Sequence, residues 1–363
     1  MAGRKKKSAG RMPLWLYVLI VVAIALVTYL RTSGEPEGGD PQPPAASAAA
    51  QQTPADETLT VRFLDVGQGD SILLACGDET MLIDGGPVEE GQFLVSPLNR
   101  LDVTGLTYVV NTHPDEDHCG GLAAVLAKYP AEHVYSSVTE YTTKVFSNVV
   151  KYADEQGHPV EVPQTGDSWT LGSASVQVIG PVQTYSDPNN GSLVLRVDYG
   201  GTSFLFTGDM EQNAEADLMD SGANVRADVL KVGHHGSPTS SSEAFLEAVA
   251  PSIAVISVGK DNDYGHPSAD VLARLEALGT AIYRTDTQGE IIITSDGQTL
   301  TVTTDPTSRE PAAGKDAPFI GNRNSMIVHS ANCAKLPGED NRVYFNTAEE
   351  AEEYGYQKHT CIK

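Results

Sequence analysis

Thr112-His113-Pro114-Asp115-Glu116-Asp117-His118-Cys119-Gly120-Gly121-Leu122 is the stretch on which the fold turns. Four side chains able to bind a metal, His113, Asp115, Asp117 and His118, fall within six residues. They follow Tyr108–Thr112, which reads as a buried strand, and precede a helix expected from about Gly121 to Lys128. A loop anchored at both ends in this way can turn all four toward one point. A solvated acidic turn explains any one of these residues, but not two histidines and two aspartates together.

Two later segments end in the same manner. Phe204-Leu205-Phe206-Thr207-Gly208-Asp209 is an apolar strand that stops at a carboxylate, and Val229-Leu230-Lys231-Val232-Gly233-His234-His235-Gly236-Ser237 is one that stops at paired histidines. A functional atom directly after an apolar strand sits on a rigid edge. Around these points, strands are expected at Leu59–Leu64, Ser71–Ala75, Met81–Ile83, Ser175–Ile179, Leu193–Tyr199, Ser203–Phe206, Val229–Val232 and Ile253–Val258. Helices are expected near Glu211–Asp220, Ser242–Val249 and Ser268–Leu278, and Ile282–Arg284, Glu290–Thr294 and Leu300–Thr303 close the body. Strand-rich ends with interleaved helices predict an α/β protein of two sheets covered by helices, not one doubly wound sheet.

The ordered motifs resemble a known family. His113-x-Asp115-x-Asp117-His118, Thr207-Gly208-Asp209 and His234-His235-Gly236-Ser237 look like the ligand motifs of the metallo-β-lactamase fold. Asp65-Val-Gly-Gln-Gly-Asp70-Ser71, Leu82-Ile-Asp84-Gly-Gly86, Ser192-Leu-Val-Leu, Tyr264-Gly-His266-Pro-Ser268 and Arg284-Thr-Asp286 narrow it. Together they are similar to the soluble hydrolase domain of ComEC-type competence (DNA-uptake) proteins, over about Thr58 to Thr304. The polytopic channel segments of the full competence protein are not seen in this sequence.

The resemblance implies an αββα sandwich with two divalent ions at one edge, Mn²⁺ or Zn²⁺, with Mg²⁺ a further choice. By position, His113 and Asp115 would serve the first ion, and Asp117 and His118 the second. Asp209 would bridge them, and His234 would complete the second site, with His235 as the alternative. Many members of the wider fold carry histidine where Asp115 stands and another before the bridging aspartate. Here Asn189-Asn-Gly-Ser192 offers none, so the first site is oxygen-rich and short of a ligand, which favours harder cations. Two such ions about 3.5–4 Å apart activate water toward a phosphorus or carbonyl centre. Asp117 would orient the nucleophile. His235 or His266 would protonate a leaving oxygen, or either is a loop residue with satisfied bonds. Ser237 and the Gly236 amide would hold a phosphate oxygen. Asp65 and Asp70 read as turn or supporting residues, and Cys76 and Cys119 as buried thiols.

The ends of the chain carry other information. Residues 1–13 hold Arg4, Lys5, Lys6, Lys7 and Arg11 without an acid, and Leu14–Leu30 is an uncharged run of seventeen residues. As a helix this just spans a thin hydrocarbon core, with Trp15, Tyr17 and Tyr29 at its ends. The basic flank places the N-terminus in the cytoplasm and the body outside, as a single-pass membrane protein. A cleaved signal peptide is the competing reading, but Tyr29-Leu30-Arg31 is a poor cleavage site. Residues 31–57, with five prolines and six alanines, are expected to be a disordered linker. The hydrolase domain is expected over 58–304, a second linker over 305–318 and a small α+β module over 319–363. That last module resembles the metal-binding module of the Ada DNA-repair protein, with His329-x₃-Cys333 in place of its first cysteine pair and His359-x-Cys361 departing from its second. A structural Zn²⁺ on His329, Cys333, His359 and Cys361 follows, against a Cys333–Cys361 disulfide or a metal-free remnant.

Composition narrows the partners. The 363 residues carry 24 Lys+Arg against 48 Asp+Glu, and removing the five N-terminal bases leaves 19 against 48, a net of −29. Such a body lacks a basic surface for gripping nucleic acid by counterion release. Apolar residues at 40% exclude disorder as the main state, and four cysteines exclude a disulfide scaffold. The leading expectation is a membrane-anchored, metal-dependent phosphodiesterase or nuclease acting on DNA. The alternatives are hydrolysis of a lactone, β-lactam or cell-wall phosphodiester at the same site, or a non-catalytic surface DNA-binding module.

Overall fold

The computed structural model describes residues 57–306, 308, 317–322, 324–354 and 356–362. The expected basic segment and anchor, and the linker up to residue 56, lie outside the described residues. Among the described residues no helix is long and apolar enough to cross a membrane. Every described residue belongs to one compact unit, Ala50–Lys363.

The first half builds one sheet from β1 (Leu59–Phe63), β2 (Ile72–Cys76), β3 (Glu79–Ile83), β4 (Leu106–Asn111) and β5 (Ala131–Ser136). The second half builds another from β6 (Ser168–Leu171), β7 (Ala174–Gly180), β8 (Val194–Tyr199), β9 (Thr202–Phe206), β10 (Val229–Lys231), β11 (Ile253–Ile256) and β12 (Ala281–Arg284). Strands β13 (Glu290–Ser295) and β14 (Leu300–Asp305) then return to the first sheet, whose order is β14-β13-β1-β2-β3-β4-β5. The second sheet runs β12-β11-β10-β9-β8-β7-β6. Each sheet is antiparallel on one side and parallel on the other: β3, β4 and β5 in the first, β9 to β12 in the second.

Side-chain alternation explains the layers. Along β4, Tyr108 and Val110 enter the core between the sheets, while Val109 joins an outer core with Leu98, Leu122 and Phe146. Along β9, Phe204 and Phe206 point between the sheets and Leu205 faces Phe245 and Val271. A strand buried on both faces reads as a continuous apolar run, as these do. Each fully buried side chain of this size contributes about 1.5–3 kcal/mol. The outer cores are closed by α1 (Gly91–Arg100), α2 (Glu116–Cys119), α3 (Leu122–Lys128) and α4 (Lys144–Gln156) on the first sheet. On the second lie α5 (Gln212–Asp220), α6 (Glu243–Val249) and α7 (Ala269–Ala277). The result is the α/β sandwich of two helix-covered sheets.

Helices α6 and α7 begin where expected, because Ser242 and Ser268 accept hydrogen bonds from the amides of Phe245 and Val271 at 3.3 Å each. Of these elements, α1, α2, β5, α4 and β6 have no counterpart in the sequence reading. The signal for α4 was present. Thr143 caps it through the Phe146 amide, Phe146, Val149 and Ala153 share a face, and Gly157 ends it at φ 81°. After a short α8 (Thr285–Gln288) and the closing strands, the tail forms its own sheet. It uses β15 (Phe319–Asn322), β16 (Ile327–Ser330), β17 (Arg342–Phe345) and β18 (Gln357–Lys358) in the order β17-β15-β16-β18, with α9 (Ala348–Glu353). Val328, Val343, Phe345, Ala351 and Tyr356 make its small core.

Candidate metal centre

The chemistry-bearing side chains gather where parallel strands end. Asp84 follows β3, and His113 to His118 follow β4. From the facing sheet come Asp209 after β9, His234 and His235 after β10, and Ser257 after β11. Carboxyl ends of parallel strands are where open α/β sheets bind ligands. The loops are pinned together: the Asp70 amide donates to the Asp117 carbonyl at 3.1 Å and the Gly85 amide to that of His118 at 2.6 Å. Gly69, at φ 147°, permits this approach, since a Cβ there would collide with the Asp117 carbonyl oxygen.

Three imidazoles are aimed by partners at their Nδ1 edges. The Asp84 carboxylate lies 2.8 Å from His118 Nδ1 and also accepts from the Thr112 amide and hydroxyl, both at 2.7 Å. Thr112 Oγ1 and Ser192 Oγ lie 3.1 and 3.4 Å from His113 Nδ1. His235 Nδ1 is 2.9 Å from the Ser257 carbonyl and 3.3 Å from Asp70. Each ring therefore presents Nε2 inward, as ligating histidines held from behind do. The Nε2 atoms of His113, His118 and His235 are buried without a hydrogen-bond partner, and so is Asp209 Oδ1. They converge: His118 Nε2 lies 3.2 Å from Asp209 Oδ1, and His235 Nε2 lies 3.3 Å from Asp117 and 3.6 Å from Asp209.

The electrostatics call for cations. Burial alone would lower His118 and His235, but Asp209 with Asp84 and Asp117 holds His118 well above the usual imidazole value. Asp209, Asp117 and Asp70 similarly raise His235 to about 10. Burial would raise Asp209, yet His118 and His235 hold it far below the carboxylate range. Burial and neighbouring His118 depress His113 to about 3, so it stays neutral. Protons on His118 and His235 thus balance the carboxylates in the place where cations would do so. Unpartnered imidazole nitrogens beside carboxylate oxygens fit borderline and hard divalent ions.

The expected ligands separate on inspection. His113, Asp117, His118 and Asp209 meet at the centre. Asp115 stands at its edge, Oδ2 3.7 Å from His113 Nε2, pushed up by burial and by Asp117 and Asp209. Of the paired histidines, His235 takes the interior and His234 the rim, its side chain 23% exposed and its Nε2 3.7 Å from Asp209. Both adopt left-handed backbone, φ 49° and 53°, which turns consecutive side chains to different sides. The Nε2 atoms of His235 and His234 lie almost equally far from Asp209 Oδ2, 3.6 and 3.7 Å, one from the interior and one from the rim. A ligating His235 would have no nitrogen left for proton transfer, and His266 stands at the rim, its ring 5.6 Å from that of His234.

Ser237, expected at a phosphate oxygen, is buried, and its hydroxyl pairs with Thr239 Oγ1 at 2.9 Å. Gly236, at φ 81°, packs where a Cβ would strike Pro267, so it is required for close approach. Ser192, in the place where a family histidine is absent, accepts from the Asp209 amide at 3.1 Å and backs His113. Cys119 is buried, and its thiol is pushed up to about 12 by burial and by Asp84. Lys231 was not read as functional from sequence. It is buried and ion-paired with Asp70 at 2.6 Å, behind His235. Asp70, His118, Asp209 and His235 do offer ligand atoms within 4.8 Å of one another. Asp70, however, faces the Nδ1 edge of His235 and is claimed by Lys231, which makes it a support for that ring.

In the tail, His329, Cys333, His359 and Cys361 also offer atoms within 4.8 Å of one another, with both thiols free. Cys333 Sγ lies 3.4 Å from His329 Nδ1 and 3.8 Å from His359 Nδ1. Thiolate and imidazole in this number suit zinc.

The sequence pattern of the Metallo-beta-lactamase superfamily matches residues 64–260, which contain every central residue of the site. The chain belongs to the metallo-beta-lactamase superfamily. Within it, the chain is similar to ComE operon protein 3 of Bacillus subtilis, 32% identical over 250 residues that cover 64% of this chain and 32% of that protein. It is likewise similar to Competence protein ComA of Neisseria gonorrhoeae, 35% identical over 239 residues, covering 65% and 32%. Recombination protein 2 of Haemophilus influenzae is 31% identical over 240 residues, covering 64% and 28%. The chain therefore spans about a third of the length of these relatives. Among solved structures, the metallo-beta-lactamase fold protein YhfI from Bacillus subtilis aligns with a TM-score of 0.41 at 11% identity, over 62% of this chain and 95% of that one. This metallo-beta-lactamase-fold hydrolase is related to competence proteins.

Proposed function

We propose that the protein is a membrane-anchored, extracytoplasmic, metal-dependent phosphodiesterase that cleaves DNA. The observation that carries this reading is the convergence of the unpartnered His118 and His235 Nε2 atoms on Asp209, with the unpartnered His113 ring 4.1 Å from that of His118, in a chain related to competence proteins. His113 and Asp115 would hold one divalent cation, Asp117, His118 and His235 another, and Asp209 both. Bound there, Mn²⁺, Zn²⁺ or Mg²⁺ supplies Lewis acidity and neutralises charge on a phosphate.

The chain's own residues do the rest. Asp84, Thr112, Ser192, Ser257 and Asp70 fix the rings so that little reorganisation accompanies the reaction. His266, kept neutral near pH 7 by burial and by His234 and His235, has a buried Nδ1 without a partner and can move a proton at the rim. Because the body is acidic, phosphate affinity would rest on the cation centre rather than on a basic surface. The tail would hold a structural Zn²⁺ on His329, Cys333, His359 and Cys361 and assist capture of long DNA. The helix over 14–30 would hold the body outside the membrane.

The test is metal analysis and DNA cleavage by the detergent-purified full chain, with Mn²⁺, Zn²⁺ or Mg²⁺. Cleavage abolished by chelation and by Asp209→Ala, with loss of at least one metal equivalent, is expected. Retention of DNA without cutting would select a binding module, and hydrolysis of a lactone or β-lactam but not DNA would select another hydrolase. Either result sinks the proposal.

A further inference from the structure

Beside the first-ion side of the site opens a cavity of about 510 Å³. Pro114, next to His113, and Gly191 and Leu193, flanking Ser192, form its inner end. Its volume falls in the range of roughly 300–1,000 Å³ usual for small-ligand sites. It was not singled out by any sequence motif, because its walls come from three loops far apart in the chain: 137–141, 162–165 and 181–191.

The lining is unlike that of a phosphate groove. Asp187 is the only lining residue with a carboxylate, and no lysine, arginine or histidine takes part. A run of phosphates laid along it would meet no counter-charge and one repelling carboxylate. What the walls offer instead is aromatic and proline surface with neutral hydrogen-bonding groups. Two tyrosines are held in fixed poses. Tyr185 donates its hydroxyl to Asp217 at 2.9 Å, and Gln183 donates to the same carboxylate at 2.6 Å. The Tyr141 ring meets Phe146 edge-on at 6.4 Å and 82°.

We infer that this cavity is a nucleobase subsite, in which Tyr141 and Tyr185 receive an unpaired base of the strand whose phosphate lies at the metal centre. The inference deepens the phosphodiesterase reading and rests on it. Three observations select this occupant. A base is flat, uncharged and able to bond with hydroxyls and amides, as the lining requires. The cavity adjoins the cation centre, so a phosphate and the base beside it can be engaged together. Ring poses set in advance by Asp217 and Phe146 lower the ordering cost of stacking. A base still paired in a duplex keeps its faces stacked and cannot enter, so discrimination against duplex follows from unstacking cost.

The test compares the detergent-purified full chain, loaded with Mn²⁺, on two single strands of equal length. One bears its bases and the other has abasic residues throughout the cleaved region. The readout is the ratio of kcat/KM values, base-bearing over abasic. Wild type is expected to give about tenfold or more, within the range of base–aromatic stacking. Tyr141→Leu combined with Tyr185→Leu should bring the ratio near one, whereas Tyr141→Phe, which retains the ring, should keep it. A wild-type ratio near one, or a ratio that the paired leucines leave unchanged, overturns the subsite while leaving the phosphodiesterase reading intact. Cleavage of neither strand by wild type overturns the phosphodiesterase reading, and the subsite with it.

Discussion

Replacing Asp84 by asparagine changes almost no volume but should misdirect a ligand two bonds away from any metal. Asp84 Oδ1 accepts from the Thr112 amide at 2.7 Å and from Asn111 Nδ2 at 3.2 Å. Those two donors fix the asparagine oxygen at that place. The new NH₂ then faces Thr112 Oγ1, at 2.7 Å, and His118 Nδ1, at 2.8 Å. The threonine hydroxyl can rotate to accept. His118 can accept at Nδ1 only by carrying its proton on Nε2, where it blocks the nitrogen that faces Asp209. Loss of a hydrogen bond to a charged group costs about 1.5–3 kcal/mol, and substitutions behind metal ligands weaken binding about 10–100-fold. Asp84→Asn should therefore raise the dissociation constant of the Mn²⁺ that His118 would hold about 10–100-fold, with activity regained at higher Mn²⁺. Calorimetric titration of the chelator-stripped protein, paired with activity against free Mn²⁺, measures this. Unchanged affinity in a folded Asp84→Asn protein would refute the tautomer argument.

Lys231→Met leaves buried Asp70 with His235, 3.3 Å away, as its remaining charged neighbour, and breaking a buried pair costs up to about 3–5 kcal/mol. Urea unfolding should show that loss, partly recovered in Lys231→Met with Asp70→Asn; a single-variant loss no larger than for a surface pair, about 1 kcal/mol, would contradict the pairing. His235→Ala should release metal, while His234→Ala should retain most of it, and the reverse pattern would return the ligand role to His234. In the metal-free protein, His235 is raised from 6.5 to about 10, so its contribution to stability is full below 6.5 and lost as pH rises through 10. Asp209 is depressed, so its contribution is present above 3.8 and lost as pH falls through its folded value. Below 6.5, however, His113, depressed to about 3, opposes folding increasingly, so thermal unfolding of stripped protein should be most resistant near 6.5, and metal uptake should release protons in paired-buffer calorimetry. Uptake without proton release would show that the imidazoles were neutral already. Protease added to intact cells should digest the body if residues 14–30 anchor it outside, and full protection would place it on the other side.

Much of the fold was legible because its signals are local. The apolar runs Phe204–Phe206 and Val229–Val232 announce buried strands, Ser242 and Ser268 announce helix starts, and the ligands follow strand ends within a few residues. The stretch from β5 to β6 was harder to read, since β5, Ala131–Ser136, buries Ala131, Val134 and Ser136 and exposes the adjacent Glu132 and His133, which breaks the period of two. The sequence by itself determined the ligand chemistry, imidazole and carboxylate in a fixed order along the chain, and hence the superfamily. The tertiary structure decided which atoms meet. Asp84 finds Thr112 and His118, Lys231 finds Asp70 across 161 positions, and three separate loops close the cavity around Tyr141 and Tyr185. Which of His234 and His235 faces the interior depends on two left-handed residues after β10, which no side-chain pattern encodes. Periodicity and caps act over one or two turns of chain, whereas packing two sheets face to face sets the distances between groups that the sequence keeps far apart.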